Sequence, residues 1–279
     1  MSPESLRYTA SIDLAEKNSS HTQAFDMLQQ HAGGRSLRVL EVGCASGYWG
    51  TLLRNQGHHV VGIEPDMDAA SHAQEVLDEV FCGYLDAYLT NHPDVRFDVI
   101  SFVDVLEHTS DPVAILKACH EHLNPDGLII ASIPNVTHLA VRAMLLAGAW
   151  DYARTGIMDD SHLRFFSRRS VLALFSAAGF VVDQIETTTM TCAAMACQYG
   201  LRTSSWFRGL AWLAASDCTW RDFQYVVSAR SFSGVEDVRE INARHADLGS
   251  LTTAWVFKLR CAAWAALLQV KLRVKRVLK

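Results

Sequence analysis

The chain has no C-x-x-C pair, no uncharged apolar run long enough to span a bilayer, and no excess of positive charge. Each absence excludes a class. Seven cysteines (Cys44, Cys82, Cys119, Cys192, Cys197, Cys218 and Cys261) are odd in number and scattered in spacing. Neither a disulfide framework nor a zinc knuckle is expected from them, and reduced thiols in a cytoplasm are. No apolar stretch reaches the roughly 18 residues of a membrane span. The first residues, "MSPESLRYTASIDLAEK", lack the apolar core of a secretory leader. A net charge of −5 argues against general nucleic-acid binding. That balance hides an asymmetry: Leu251 to Lys279 holds seven Lys or Arg and no acid.

What is present reads as a globular α/β protein. Of its 279 residues 49% are hydrophobic and 20% charged, enough for a large core. Apolar strands are predicted at Leu37–Val42, His59–Glu64, "EVFCG", Phe97–Val103 and Gly127–Ile133. Helices alternate with them: about Gly47 to Asn55, Met67 to Leu77 behind an Asp66 cap, and Pro112 to His122 behind Asp111. The "NPDG" before the fifth strand reads as a turn. Strands of this kind form a parallel sheet covered on both faces. After Pro134 comes an insertion of about thirty residues, helical in its first part. A helix over Ser170–Ala178, a strand "FVVDQIET" and a last strand over Asp222–Arg230 resume the fold.

"VLEVGCASGYWG", Val39 to Gly50, carries the first chemical signal. A dinucleotide loop needs G-x-G-x-x-G. Counted from Gly43, Ala45 stands at the second glycine and the bulky Tyr48 at the third. The better frame is G-x-x-x-G, Gly43 to Gly47, after the acidic Glu41. It suits a nucleoside with an amino-acid tail and no phosphate, Glu41 facing the tail's ammonium group. Glu64, 21 residues beyond Gly43, can accept hydrogen bonds from a ribose diol. Pro65 follows it, Met67 is placed to cover an adenine face, and Leu85 and Asp86 stand where an adenine edge would be read.

With "VVGIEPD", "FDVISFVDVLEHTSDP", "LNPDGLIIASIPNV" and "DDSHLRFFS" following in order, the chain resembles the class I S-adenosylmethionine-dependent methyltransferases over about Asn18 to Glu186. The branch is similar to the quinone-type O-methyltransferases and to methyltransferases of bacterial polysaccharide and natural-product clusters. The resemblance implies a Rossmann-like fold with a seven-stranded, mostly parallel sheet in the order 3-2-1-4-5-7-6. It implies S-adenosylmethionine as cofactor and S-adenosylhomocysteine as product. Glu41, Gly43, Cys44, Ala45, Gly47, Glu64, Pro65, Met67, Leu85, Asp86, Val103 and Asp104 are the expected cofactor residues. The sequence departs from the family's pattern at Cys44-Ala45-Ser46, where a second glycine is frequent, and at Tyr84, where an acid is frequent.

A sulfonium donor is already activated, so the protein must place the acceptor and exclude water, and a hydroxyl acceptor also needs a base. His162, Asp104 and His108 are the expected catalytic residues. Asn135, Tyr152, His162 and Arg164 are expected at the acceptor, with Trp150 as pocket wall. Asp104, Glu107 and His108 have the chemistry to polarise a hydroxyl through a divalent ion. Quinone-type relatives imply the same set. The sequence reading nonetheless favours no metal, with these residues lining the cofactor site and locking the loop. His138 is expected on a helix face. The segment "EKNSSHTQAF" resembles one that closes over the cofactor in this branch, which makes His21 and Lys17 lid candidates, while polarity on a helix surface is the favoured reading of both.

The expected organisation is a helical lid over 1–36, a catalytic domain over 37–232 and a helical appendage over 233–279. Cap insertions are expected at about 134–167 and 188–220, the second carrying Trp206, Trp212 and Trp220. The basic C-terminal helix suits an anionic membrane surface or a dimer contact. The expected reaction is methyl transfer to a small-molecule hydroxyl. Transfer to nitrogen or a carboxylate, or a non-catalytic cofactor-binding subunit, are the alternatives.

Overall fold

The computed structural model describes residues 12–191, 194–195, 199 and 218–232. The first eleven residues, most of the 188–220 cap (Trp206 and Trp212 included) and the basic tail lie outside the described residues. The described residues belong to two compact units. Of the described residues, 12–136, 154–189 and 223–232 fall in the first, and 137–153, 190–191, 194–195, 199 and 218–222 in the second.

The elements run α1 (Ser20–Ala32), β1 (Arg38–Val42), α2 (Tyr48–Asn55), β2 (His59–Glu64), α3 (Met67–Val76) and β3 (Glu79–Cys82). They continue with α4 (Leu85–Asn91), β4 (Phe97–Val103), α5 (Pro112–Ala118), β5 (Leu123–Pro134), α6 (Leu139–Leu146), α7 (Arg168–Ala177), β6 (Phe180–Thr189) and β7 (Asp222–Ser231). The sheet order is β3-β2-β1-β4-β5-β7-β6, as the family resemblance implies. β1 pairs in parallel with β2 and β4, and β5 with β4, while β7 runs antiparallel to β5.

Side chains alternate across a strand. Val39, Val60, Val99 and Ile130 therefore pack on one face with Phe25 and Leu28 of α1, Trp49 and Leu53 of α2, and Ala73 of α3. Leu40, Val61, Ile100 and Ile129 pack on the other with Tyr88 of α4, Leu116 of α5 and Phe175 of α7. Both faces are apolar because both are covered, which is why these strands read as continuous hydrophobic runs.

Helix starts follow local chemistry. Asp66 accepts from the N–H of Ala69 at 2.9 Å, and Asp111 from that of Ala114 at 3.0 Å with Pro112 behind it. Ser167 and Ser170 form a reciprocal capping box. Three expectations are corrected. The α-helix after Asp111 ends at Ala118 and gives way to a 3-10 turn, His120–His122. There the histidines hold distant partners: His120 Nε2 bonds Ala178 O at 2.7 Å and His122 Nδ1 bonds Val95 O at 3.0 Å. Pairing of β5 already begins at Leu123, and "NPDG" is the register shift within it. The segment after β3, read without a helix, forms α4, whose N-cap Tyr84 makes no side-chain cap. No helix among the described residues is long and apolar enough to cross a membrane.

Candidate active site

The expected cofactor residues collect at the carboxyl ends of β1, β2, β3 and β4, where open α/β sheets bind ligands. The β1–α2 loop bends back through three left-handed residues, Gly43 (φ +71°), Ala45 (φ +49°) and Gly47 (φ +78°). A Cβ on Gly43 would stand 2.8 Å from Val105 Cγ2, and one on Gly47 2.8 Å from Val76 Cγ2. The spacing of these glycines is thus required by packing as well as by φ. Cys44 turns inward, its thiol raised well above the ordinary range by burial, and its N–H bonds Ile63 O at 3.1 Å.

Glu64 fixes the loop from the neighbouring strand. One carboxylate oxygen accepts from the N–H of Ala45 and the other from that of Asp66, both at 2.9 Å. Burial raises its pKa, and the two N–H donors oppose that. Each oxygen keeps a further lone pair for a ribose hydroxyl. Beside it, Pro65 and Asp86 are exposed, Leu85 is buried and Val103 half-buried. Met67 and Tyr84 are 76% and 70% exposed, large apolar groups at the edge with nothing covering them.

Glu41 takes a different place. Alternation puts it on the same face as Val39, beneath α2, where it is 6% exposed. The N–H of Gly50 donates to its carboxylate, Oε2 has no partner, and burial pushes its pKa well up.

Asp104, just past β4, is held in the left-handed region at φ +57°, a conformation that Asp tolerates better than most residues but that still costs energy. Its N–H donates to Ser132 Oγ at 2.9 Å, and that hydroxyl donates back to Asp104 Oδ1. Gln224 Nε2 donates to the same oxygen at 2.8 Å. Ser132 on β5 and Gln224 on β7 were not singled out from the sequence. Only the strand order brings them to this carboxylate.

A second group forms one turn further on. Glu107 and His108 lie in the 3-10 turn Leu106–His108, and the N–H groups of Leu163 and Arg164 both donate to Glu107 O, at 2.9 and 3.0 Å. That clamp brings His162 against His108, with ring centroids 4.8 Å apart and planes at 74°. His162 Nδ1 bonds Ile157 O at 3.0 Å and His108 Nδ1 bonds Ser161 O at 3.2 Å. A carbonyl only accepts, so each Nδ1 donates, and in the neutral ring the lone pair then falls on Nε2. Burial chiefly, and then His108, lower the pKa of His162. Glu107 is 1% exposed, neither carboxylate oxygen has a partner, and burial raises its pKa strongly. Donor atoms of Glu107, His108 and His162 lie within 4.8 Å of one another, and Asp104 is not in that group.

The remaining expected residues separate. Asn135 is fully buried and its N–H bonds Phe223 O at 2.9 Å. Arg164 donates from Nε and Nη2 to Ser110 O, a backbone anchor. Tyr152 and Trp150 belong to the second unit and are exposed there. His138 is not on a helix face: it is fully buried as the N-cap of α6, with Nδ1 accepting from Ala140 N–H and Nε2 donating to Met190 O. His21 bonds Tyr48 Oη through Nε2 at 3.3 Å, and its carbonyl accepts from Trp49 Nε1, tying α1 to the start of α2. Lys17 pairs with Asp26 at the surface.

A family profile described as a methyltransferase domain matches residues 15–185, more than half of the chain. The chain belongs to this methyltransferase family. It is a class I S-adenosylmethionine-dependent methyltransferase by family profile, fold and motif order. A ubiquinone biosynthesis O-methyltransferase of Azorhizobium caulinodans is 29% identical over 174 residues, 57% of this chain and 68% of that protein. One from Pasteurella multocida is 32% identical over 135 residues, 43% of this chain and 55% of that protein. A probable S-adenosylmethionine-dependent methyltransferase of Mycolicibacterium smegmatis is 27% identical over 173 residues, 61% and 62% of the two chains. The matches therefore span little more than half to two thirds of these curated relatives. Among solved structures, a SAM-dependent methyltransferase from Archaeoglobus fulgidus superposes with a TM-score of 0.52 at 16% identity, covering 76% of this chain and 94% of that one. The N1-methyltransferase of 1,6-didemethyltoxoflavin from Burkholderia thailandensis gives 0.51 at 17% identity, over 79% and 82%. At these identities the structures speak to the fold alone.

Proposed function

We propose that this methyltransferase transfers the methyl group of S-adenosylmethionine to a hydroxyl of a small molecule. The observation that carries the reading is the juxtaposition of two imidazoles with a buried carboxylate one turn beyond Asp104. A sulfonium donor needs no activation, but a hydroxyl must lose a proton as it attacks. The His108–His162 pair, backed by Glu107, is the group placed to receive it. An acceptor that arrives as a carboxylate would not need such a group.

Glu64 and the Gly43–Gly47 loop hold the nucleoside in this reading, Met67 and Leu85 flank the base, and Asp104 faces the methionyl end. The O-methyltransferase names among the relatives support oxygen as the receiving atom. The test is incubation with methyl-labelled cofactor and matched acceptors that differ in a single group. Label in the hydroxyl compounds and none in their O-blocked counterparts is the expected result. Label only in amine or carboxylate acceptors overturns the reading.

A further inference from the structure

Glu41, Glu64 and Asp104 surround the start of α2, where Tyr48 feels the charge of all three, but they are engaged differently. Glu64 holds the loop itself, accepting from Ala45 and Asp66. Glu41, which the sequence sets against the ammonium of the cofactor tail, lies beneath α2. It takes the N–H of Gly50, and a methyl group on Gly50 would overlap its Oε2. A proton, favoured there by burial, fills the place of the missing donor. Asp104 is only half-buried. Ser132 and Gln224 donate to its Oδ1, and Oδ2 takes no hydrogen bond among the described residues.

Val105, the next residue, packs on the first glycine of the loop: a Cβ on Gly43 would stand 2.8 Å from Val105 Cγ2. His21 of α1 and Tyr48 of α2 both feel the charge of Asp104, and so do Glu107 and His162. Asp104 therefore stands between the loop that holds the nucleoside and the histidine pair proposed to take the acceptor proton. A sulfonium whose methyl group points at that pair has its amino-acid tail within reach of this carboxylate. The backbone of Asp104 is held at φ +57°, and strain of that kind persists where the surroundings over-determine it. We infer that Asp104 Oδ2 binds the α-ammonium group of S-adenosylmethionine, the role that the sequence gives to Glu41. An ammonium–carboxylate contact is a charge-assisted hydrogen bond, stronger than a neutral one. Ser132 and Gln224 are then positioning residues, which fix Oδ1 and so aim Oδ2. The inference rests on the cofactor and not on the acceptor.

Calorimetry on the full-length chain tests this without any turnover. The probes are S-adenosylhomocysteine, its desamino analogue with hydrogen in place of the ammonium, and 5′-methylthioadenosine, which lacks the whole tail. The parent is expected to bind S-adenosylhomocysteine at least about tenfold more tightly than the desamino analogue. Asp104→Asn should lose at least about tenfold in affinity for S-adenosylhomocysteine and stay within about twofold of the parent for the other two. Asn tolerates the left-handed region, so the backbone is kept. Glu41→Gln should bind all three within about twofold of the parent. Far-UV circular dichroism and a melt establish that each variant is folded. Gln224→Leu, with the same selectivity in its loss, serves if Asp104→Asn is not. Equal binding of S-adenosylhomocysteine and its desamino analogue by the parent overturns the inference. So does a loss confined to S-adenosylhomocysteine in Glu41→Gln, or the absence of a selective loss in Asp104→Asn. Failure of the parent to bind any of the three overturns the inference together with the cofactor assignment. Failure of the hydroxyl reading leaves it standing, because no acceptor is present.

Discussion

Gln224 on β7 donates its Nε2–H to Oδ1 of Asp104 at the end of β4, 2.8 Å away and 120 residues earlier in the chain. Ser132 on β5 shares that oxygen. A carboxylate in the left-handed region at the carboxyl edge of the sheet is thus fixed by side chains of two other strands. Replacing Gln224 with Leu removes one hydrogen bond to a charged group, worth about 1.5–3 kcal/mol. Steady-state kinetics should show kcat/KM for the cofactor falling at least about tenfold, with the melting temperature nearly unchanged. Unaltered kinetics in Gln224→Leu would mean that this carboxylate needs no orientation.

His162 has its pKa lowered by burial and by His108. A folded-state pKa below the ordinary histidine value keeps the imidazole neutral at neutral pH. Activity that needs its Nε2 lone pair is therefore full at pH 7 and is lost on acidification only below the usual histidine range, near 6.5. His162→Ala should reduce kcat by about 10²-fold or more while the dissociation constant of S-adenosylhomocysteine stays within about twofold. A variant with the parent's kcat and pH profile removes the cluster from the reaction.

Gly50 lies in α2 directly over the carboxylate of Glu41, and an added methyl group would overlap Glu41 Oε2 and come within 2.7 Å of Leu77 Cδ2. Helix propensity alone makes Gly→Ala favourable by up to about 1 kcal/mol. Overpacking costs about 1–3 kcal/mol and should prevail. Gly50→Ala is expected to melt below the parent, and Glu41→Gln should not relieve it, because the volume is unchanged. A rise in the melting temperature of Gly50→Ala contradicts the packing described.

Much of this arrangement was legible in the sequence, and the reasons are physical. Parallel strands buried on both faces read as unbroken apolar runs, so the strands themselves were legible in "VLEV", "HVVGIE" and "FDVISFV", while their order was implied only by the family resemblance. Asp66, Asp111-Pro112 and the Gly43–Gly47 loop announce themselves through local backbone chemistry. The hidden parts depend on tertiary contacts. Nothing in "DFQYVV" marks Gln224 until β7 is set antiparallel to β5, with Gln224 opposite Pro134. His138 shows no local sign of capping α6, because its other partner, Met190, is 52 residues away. Glu107 and His108 were read with Asp104 because the three are adjacent in sequence. The clamp on Glu107 O brings His162 beside His108, which their separation in sequence conceals.

Glu41 supplies a stability prediction. Its pKa is raised well above the ordinary value by burial. A group raised in this way binds a proton more tightly in the folded state, so its contribution is complete below the unfolded pKa and declines as pH rises through the folded one. Each pKa unit of that shift is worth about 1.4 kcal/mol. Glu41→Gln, neutral at every pH, should therefore gain in melting temperature relative to the parent as pH is raised from 5 toward 8. A difference between the two that does not change with pH contradicts the burial argument.

The central claim is that the carboxyl edge built from the Gly43–Gly47 loop, Glu64 and Asp104 holds a sulfonium nucleoside rather than a dinucleotide. Isothermal calorimetry tests it most directly, with S-adenosylmethionine, S-adenosylhomocysteine and NADH titrated into the same full-length protein and into Glu64→Ala. The account predicts saturable one-to-one binding of both sulfur nucleosides, no heat from NADH, and at least about tenfold weaker binding in Glu64→Ala once its two backbone anchors and ribose acceptors are gone. Saturable NADH binding with none from either sulfur nucleoside would contradict it.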